Sequence, residues 1–314
     1  MTRIFDLRDI IHILYLFLPV RFFYFVARVQ GNLAYHRNHK LRSVVRDNLA
    51  TLAPAGTSDS RLDEMTKAFF AGQASREMQR VLMARLSADK LETILPIEGL
   101  DLLDQALQKG KGVILYASHL NSASNFLLLQ RLRQLGYDAQ VAFPSKDDPF
   151  RPSRIGNWLN RITGAKNVLE LIGAFYAQVN IRPVVKRLNN NSIIMILGDG
   201  THSINFAKAR FMDREVYFTT GPIGLARMTN ASLMFTAVCG TAPDKLHARL
   251  DAPLQVPVTN NQEQDMAQVA QDYAARLESL LRDDATQWQH LEFRQVLNKM
   301  ANPMEQSVSG RLKV

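Results

Sequence analysis

Cysteine is nearly absent from this 314-residue chain, which has only Cys239, inside the apolar run ASLMFTAVCG. One thiol makes no intramolecular disulfide and no cysteine zinc cluster, so both frameworks are excluded. Its apolar neighbours make Cys239 a small core residue. Acid is also scarce. There are 29 Asp and Glu against 38 Lys and Arg, for a net charge of +9 and a pI near 9.7. Such a balance points to an anionic partner: nucleic acid, an acidic carrier protein or anionic lipid. No nucleic-acid module and no aromatic–basic stripe is present, which argues against nucleic acid. Internal repeats and low-complexity tracts are lacking. So is an unbroken apolar run of the roughly 20 residues that cross a bilayer. The nearest, IIHILYLFLPVRFFYFVARV (Ile10 to Val29), is split by Pro19 and Arg21. A small-residue cleavage site is missing, which argues against a signal peptide.

What the N-terminus does have is a dense apolar and aromatic stretch followed by RVQGNLAYHRNHKLRSVVR, rich in Arg, Lys and His and free of acid. A helix kinked at Pro19 could enter one leaflet, with the basic tract against an anionic cytoplasmic surface. The competing reading is a buried core helix. The chain is thus expected to divide into an N-terminal helical membrane anchor over 1–45, an α/β domain over 46–300 and a loose tail over 301–314.

Residues 1–90 read as helical throughout, with Asp59 or Ser60 as the N-cap of RLDEMTKAFFAGQASREMQRVLMARL. From about residue 94 the pattern changes to short apolar runs: GVILYAS, DAQVAFPS, SIIMILGDG and ASLMFTAVCG. Helical stretches separate them, NFLLLQRLRQLG between the first two and GPIGLARMTN before the fourth. Strand–helix–strand alternation predicts an α/β fold, a mostly parallel mixed sheet flanked by helices. LHARLDAPLQV reads as a further strand or two, and EQDMAQVAQDYAARLESLLRDD as a strong amphipathic helix.

Polar residues collect just beyond the strand ends, where open α/β sheets bind ligands. His119 follows GVILYAS, Lys146 follows QVAFPS, and Asp199 follows SIIMIL with His202 three residues on. A histidine beside a substrate hydroxyl can act as a general base. It usually needs a carboxylate to orient it, yet the next acid in the chain after His119 is Asp138. A lone histidine at a strand end is more often structural.

Five collinear blocks alter that balance. They are HKLRSVVRDNLATLAP, IEGLDLLDQALQKGKGVILYASHLNS, RPVVKRLNNNSIIMILGDG, FMDREVYFTTGPIGLARMTNASLMF and TQWQHLEFR. In order and type they resemble the late acyltransferases of bacterial lipid A biosynthesis, within the lysophospholipid acyltransferase superfamily. The resemblance runs from the N-terminal stretch to about Arg294. It implies an O-acyltransferase of the bacterial inner membrane, cytoplasmic face. The enzyme would take an acyl chain from acyl carrier protein or acyl-CoA and place it on a hydroxyl of a membrane glycolipid or related lipid-linked acceptor. Anionic membrane lipid is the expected partner surface, with no nucleic acid, metal or cofactor. The donor thioester is already activated, so the enzyme contributes base, oxyanion stabilisation and orientation.

The family motif is a histidine, four residues, then Asp or Glu. His119 matches the histidine, but the acid position holds Ser124. Three readings follow. Asp199 replaces the missing acid; or Ser124 holds the ring with a neutral hydrogen bond and catalysis is slower; or acyl transfer is lost and a lipid- or acyl-binding relative remains. Alternatively Ser124, with Asn121 and Ser122, simply caps a helix beginning near Asn125. Ser124→Glu would restore the family motif. The resemblance also assigns Lys146 and Arg161, in PSKDDPFRPSRIGNWLNRITG with Arg151 and Arg154, to a phosphate-binding role facing the His119 cleft. Arg suits phosphate through bidentate contacts. Solvated basic loop residues would look the same. Arg182 is a weaker candidate of that kind. Thr220 and Gly221 open a helix whose amides could bind a phosphate or an oxyanion, or merely cap it.

Overall fold

The computed structural model describes residues 18–83, 86–143, 168–176, 181–200, 203, 205–242 and 244–302. Among these, the helices α1 (Val20–Arg37), α2 (His39–Leu52), α3 (Asp59–Leu82) and α4 (Ala88–Ile94) precede the sheet. The α/β part runs β1 (Ile97–Glu98), α5 (Leu100–Leu107), β2 (Val113–Ala117), α6 (Ser122–Gln134), β3 (Ala139–Phe143), α7 (Val168–Leu171), β4 (Ala174–Tyr176), α8 (Arg182–Asn189) and β5 (Ile193–Leu197). It continues with β6 (Phe206–Phe211), β7 (Arg214–Thr219), α9 (Gly221–Thr229), β8 (Ser232–Ala242), β9 (Lys245–Leu250) and α10 (Gln262–Asp284). Two 3₁₀ turns, Ala285–Gln287 and Gln289–Glu292, lead to α11 (Val296–Ala301).

Seven strands form one sheet in the order β1-β9-β8-β2-β5-β3-β4. Every pairing is parallel except β8 with β9. The expected α/β class and mostly parallel sheet are therefore present. All five residues of β2, VILYA, are buried. This matches a central parallel strand covered on both faces, which reads as a continuous apolar run. The pleat sends alternate residues to opposite layers. Ile114 and Tyr116 join Tyr273 and Leu277 of α10 in one core. Val113 and Leu115 join Leu127, Leu128, Leu129 and Leu132 of α6 in the other. Each fully buried leucine is worth about 1.5–3 kcal/mol.

The sheet's register positions the site. Ala117 of β2 pairs with Leu197 of β5. Two residues further on, His119 and Asp199 emerge side by side at the same edge, although 80 positions apart.

Several expectations need correction. The hairpin β6–β7, which is antiparallel and lies outside the main sheet, carried no recognised strand signal. Its tight turn places Met212 and Asp213 in left-handed backbone, φ 50 and 59. Two-residue hairpin turns of that kind are usually marked by Asn-Gly or Asp-Gly. Here the conformation is held from outside, where the Met212 amide donates to Glu278 Oε2 at 2.7 Å. LHARLDAPLQV contributes one strand, β9, rather than two. The N-cap of α3 is Ser58, whose side chain accepts from the Arg61 amide.

Pro19 does not kink a continuous helix among the described residues; it is the N-cap of α1. Phe23 and Ala27 of α1 are buried in a small cluster with Met78 of α3. Phe22, Phe25, Val26, Val29 and Leu33 remain exposed. No helix among the described residues is long and apolar enough to cross a membrane. Residues 1–17 and the tail beyond 302 lie outside the described residues. Helix α2, which carries the end of the basic tract, is tied to the C-terminal segment through buried Asn48. Its Nδ2 donates to Leu291 O and Phe293 O, and its Oδ1 accepts from the Val296 amide.

Candidate active site

β2 ends at Ala117, and the chain turns through Ser118 to Asn121 before α6 begins at Ser122. Asn121 takes left-handed backbone, φ 45, a conformation asparagine tolerates better than most residues. Strand-like contacts with the C-terminal 3₁₀ segment hold this loop. The Asn121 amide donates to Gln287 O, and the Gln289 amide donates to His119 O.

Asp199 is the hub. Its Oδ1 lies 2.7 Å from His119 Nδ1. The His119 amide donates to both carboxylate oxygens, at 3.0 and 2.9 Å. Trp288 Nε1 donates to Oδ2 at 2.9 Å. An ionised carboxylate only accepts, so Nδ1 of His119 carries the proton and Nε2 is left as the acceptor nitrogen. The His119 side chain is 25% exposed and that of Asp199 fully buried. Burial opposes the charge on Asp199. The charges of His119 and His290, with hydrogen bonds from His119 and Trp288, outweigh it and hold the carboxyl well below the usual range. Burial pushes His290 down to about 4, so this ring is neutral at pH 7. It donates from Nε2 to the Asp199 backbone oxygen at 2.8 Å and stacks against His119 with ring centroids 4.2 Å apart.

Two buried phenols support the turn before Asp199. Tyr116 Oη donates to Thr219 O at 2.8 Å, and Tyr273 Oη donates to Ala117 O at 2.7 Å. Burial, then the Asp199 charge, raises both phenols, so they stay neutral donors. Both rings press on Gly198, where an added Cβ would sit 2.2 Å from a Tyr116 ring carbon. Only glycine lets the backbone pass there.

Ser124 lies in the first turn of α6 and is buried, and its hydroxyl donates to Gln79 Oε1 of α3 at 2.9 Å. The contact that orients His119 thus comes from Asp199, while Ser124 is engaged elsewhere. Nor does Ser124 cap a helix starting near Asn125, because α6 begins three residues earlier. Thr220 is the N-cap of α9 without a side-chain cap bond, and its amide donates to Asn205 O. Gly221 is exposed, with open space beside it. Thr219 donates from both N and Oγ1 to Gly198 O, joining this helix start to the Asp199 turn. Arg182 is exposed at the first turn of α8. A helix feeding a parallel strand runs antiparallel to it, so Arg182 lies towards the edge that carries His119 and Asp199. Lys146, Arg161, Arg151, Arg154 and His202 fall outside the described residues.

A family model described as bacterial lipid A biosynthesis acyltransferase matches residues 7–295. The chain belongs to that family. No match was found among curated proteins. Membership in the lipid A acyltransferase family makes acyl transfer with a lipid-linked acceptor the general activity of this architecture.

His119, Asp199 and His290 also form a cluster of the type that can hold a metal ion. The donor set does not fit one. Ligands around a tetrahedral zinc at about 2.0–2.1 Å sit about 3.3 Å apart. His119 Nδ1 and Asp199 Oδ1 are 2.7 Å apart, a hydrogen bond. The neighbouring donors already occupy both Asp199 oxygens, and His290 Nε2 is turned to a backbone carbonyl.

The sequence blocks contained Trp288 and His290 without giving either a role. Their block, TQWQHLEFR, was visible as a family segment. Nothing in its irregular pattern says that it folds back onto Asp199.

Proposed function

We propose that the protein transfers a fatty acyl chain from a thioester donor, acyl carrier protein or acyl-CoA, to a hydroxyl of a membrane lipid, with His119 as the general base. The Asp199 Oδ1–His119 Nδ1 contact of 2.7 Å carries this reading, because it fixes the tautomer that presents Nε2 as a base. Nε2 takes the acceptor hydroxyl proton while the oxygen attacks the thioester carbonyl. As the tetrahedral intermediate collapses, the C–S bond breaks and the thiolate recovers that proton from the imidazolium. Asp199, held ionised by its donors, stabilises the imidazolium between the two steps. The N-terminus of α9, where Gly221 has open space beside it and Thr219 bonds to the Asp199 turn, offers backbone donors for the developing oxyanion.

The reading also includes attachment to the anionic cytoplasmic face of the bacterial inner membrane through α1. Phe22, Phe25, Val26, Val29 and Leu33 recur at helical spacing and are exposed. Arg21, Arg28 and Arg37 flank them. An apolar stripe edged by arginine suits an interfacial helix.

Two measurements test the reading. Purified chain is incubated with labelled acyl-carrier-protein or acyl-CoA and total bacterial lipid, and product lipids are read by mass spectrometry. Loss of all transfer in His119→Ala supports the base. Transfer at the wild-type rate in His119→Ala refutes it, and lipid binding without turnover by the wild type assigns a non-catalytic relative. Flotation with anionic vesicles tests attachment. Phe25→Ser with Val29→Ser, both surface changes, should leave the protein unbound, whereas undiminished flotation refutes the α1 assignment.

A further inference from the structure

Behind the loop that carries His119 lies a cleft of about 750 Å³. It opens between α1, α3, the far end of β8 and the turn at 284–287. Arg21 and Arg28 come from α1, and Arg76 from α3. Asn121 and Ser124 close its floor, only two and five residues past His119. Arg76 is 9% exposed. Its guanidinium lies over the Phe69 ring at 5.8 Å, with Nη1 3.5 Å from Asn121 Oδ1. Room for it is kept by Gly72 one turn earlier, where an added Cβ would sit 3.0 Å from Nη1. Two acids, Asp244 and Asp284, also line the cleft. Asp284 is engaged with Thr286 N, Thr286 Oγ1 and Gln287 Nε2, and Asp244 is an exposed turn residue. Three arginines therefore outweigh them.

We infer that this cleft binds the phosphate of a lipid headgroup. Arginine is the side chain best matched to phosphate, through its planar fork of donors. A lipid is favoured as the source because Arg21 and Arg28 share α1 with the exposed apolar stripe, so the cleft opens where a bilayer surface would lie. Ser124 then has a role of its own. Arg76 and Gln79 lie three residues apart on one face of α3, and Ser124 bonds to Gln79. A carboxylate at 124 would point at the same cleft and compete with a phosphate for Arg76. The neutral hydroxyl adds no acid to the cleft. The inference rests on the membrane-attachment reading only for the source of the phosphate; the binding itself requires no turnover.

The test uses full-length protein in dodecyl maltoside and titration calorimetry with dihexanoyl phosphatidic acid, a soluble phosphomonoester lipid. Wild type should bind it saturably, and dihexanoyl phosphatidylcholine at least tenfold more weakly. Loss of a charged hydrogen bond costs about tenfold in affinity. The surface pair Arg21→Gln and Arg28→Gln should therefore bind phosphatidic acid about tenfold or more weakly, and Ser124→Asp should weaken it similarly. The surface pair keeps the test valid if Ser124→Asp fails to fold. No binding by wild type, or equal binding by wild type and the arginine pair, overturns the inference. Tighter, arginine-dependent binding of 4′-phosphopantetheine would also overturn it, by assigning the cleft to the donor's arm. Vesicle flotation of the same arginine pair is a separate readout, so failure of the cleft and failure of membrane attachment remain distinguishable.

Discussion

The loop from His119 to Ser124 has two ends with different surroundings. At the His119 end, Asp199 arrives from a neighbouring parallel strand and is itself held by Trp288 and the His119 amide. At the Ser124 end, a neutral hydroxyl meets a neutral amide, Gln79, across a helix–helix contact, with Arg76 and a cleft beyond. One end buries a negative charge under donors; the other pairs two neutral side chains beside a cleft lined by arginine. The family motif puts its acid at the second end. The difference teaches that a carboxylate for the histidine can come from another strand, since parallel strands deliver their C-terminal residues to one edge. The motif position is then released from that duty.

If the two ends are as distinct as their geometry, substitutions at the first should be severe and those at the second mild. Asp199→Asn places an amide against donors that expect a carboxylate and reverses the preferred His119 tautomer. Turnover should fall by about 10⁴, measured with labelled acyl donor. A loss under tenfold would mean that Asp199 only supports the fold. Trp288→Phe removes one donor from the buried carboxylate, at a cost of about 1–3 kcal/mol. Denaturant melts should register that loss, and turnover should fall by about tenfold or more. If both are unchanged, the 288–290 segment does not position Asp199.

The pH dependence of stability sharpens the same contrast. His290 has a folded pKa of about 4 against an ordinary 6.5, so between these values the unfolded chain binds the additional proton. Its contribution to stability is full above about 6.5 and is lost as pH falls towards 4, by at most about 1.4 kcal/mol per pH unit. Asp199, also lowered, adds acid sensitivity below its ordinary value of 3.8. Urea midpoints taken from pH 7 to 4 should decline, and the decline should be shallower in His290→Gln. Equal slopes in the two proteins would remove His290 as the cause. The smallest effect is expected at the other end of the loop. Ser124→Ala loses one hydrogen bond to Gln79, about 1 kcal/mol, with turnover within about threefold. Ser124→Glu, which the motif alone would make a gain of function, should not raise turnover, because position 124 faces Gln79 and not the ring. A clear gain would show that the acid can reach His119 from there.

The sequence by itself determined the α/β class, the parallel central strands, the candidate pairing of His119 with Asp199 and the family. Each follows from local periodicity and chain order. A run such as VILYA or IIMIL declares a buried strand, and two parallel strands must end on one edge wherever their helices go. The 3.6-residue period likewise placed α3, α6 and α10, with end errors of a residue or a few, because caps depend on single side chains. Only the tertiary structure decided which way Ser124 faces, that Trp288 and His290 close over Asp199, that β6 and β7 form a hairpin without its usual turn residues, and that three arginines from two helices share a cleft. These depend on which helices cross and on backbone conformations imposed by distant partners, such as Glu278 on Met212. Periodicity along the chain records which side of an element is buried, but not which neighbour buries it.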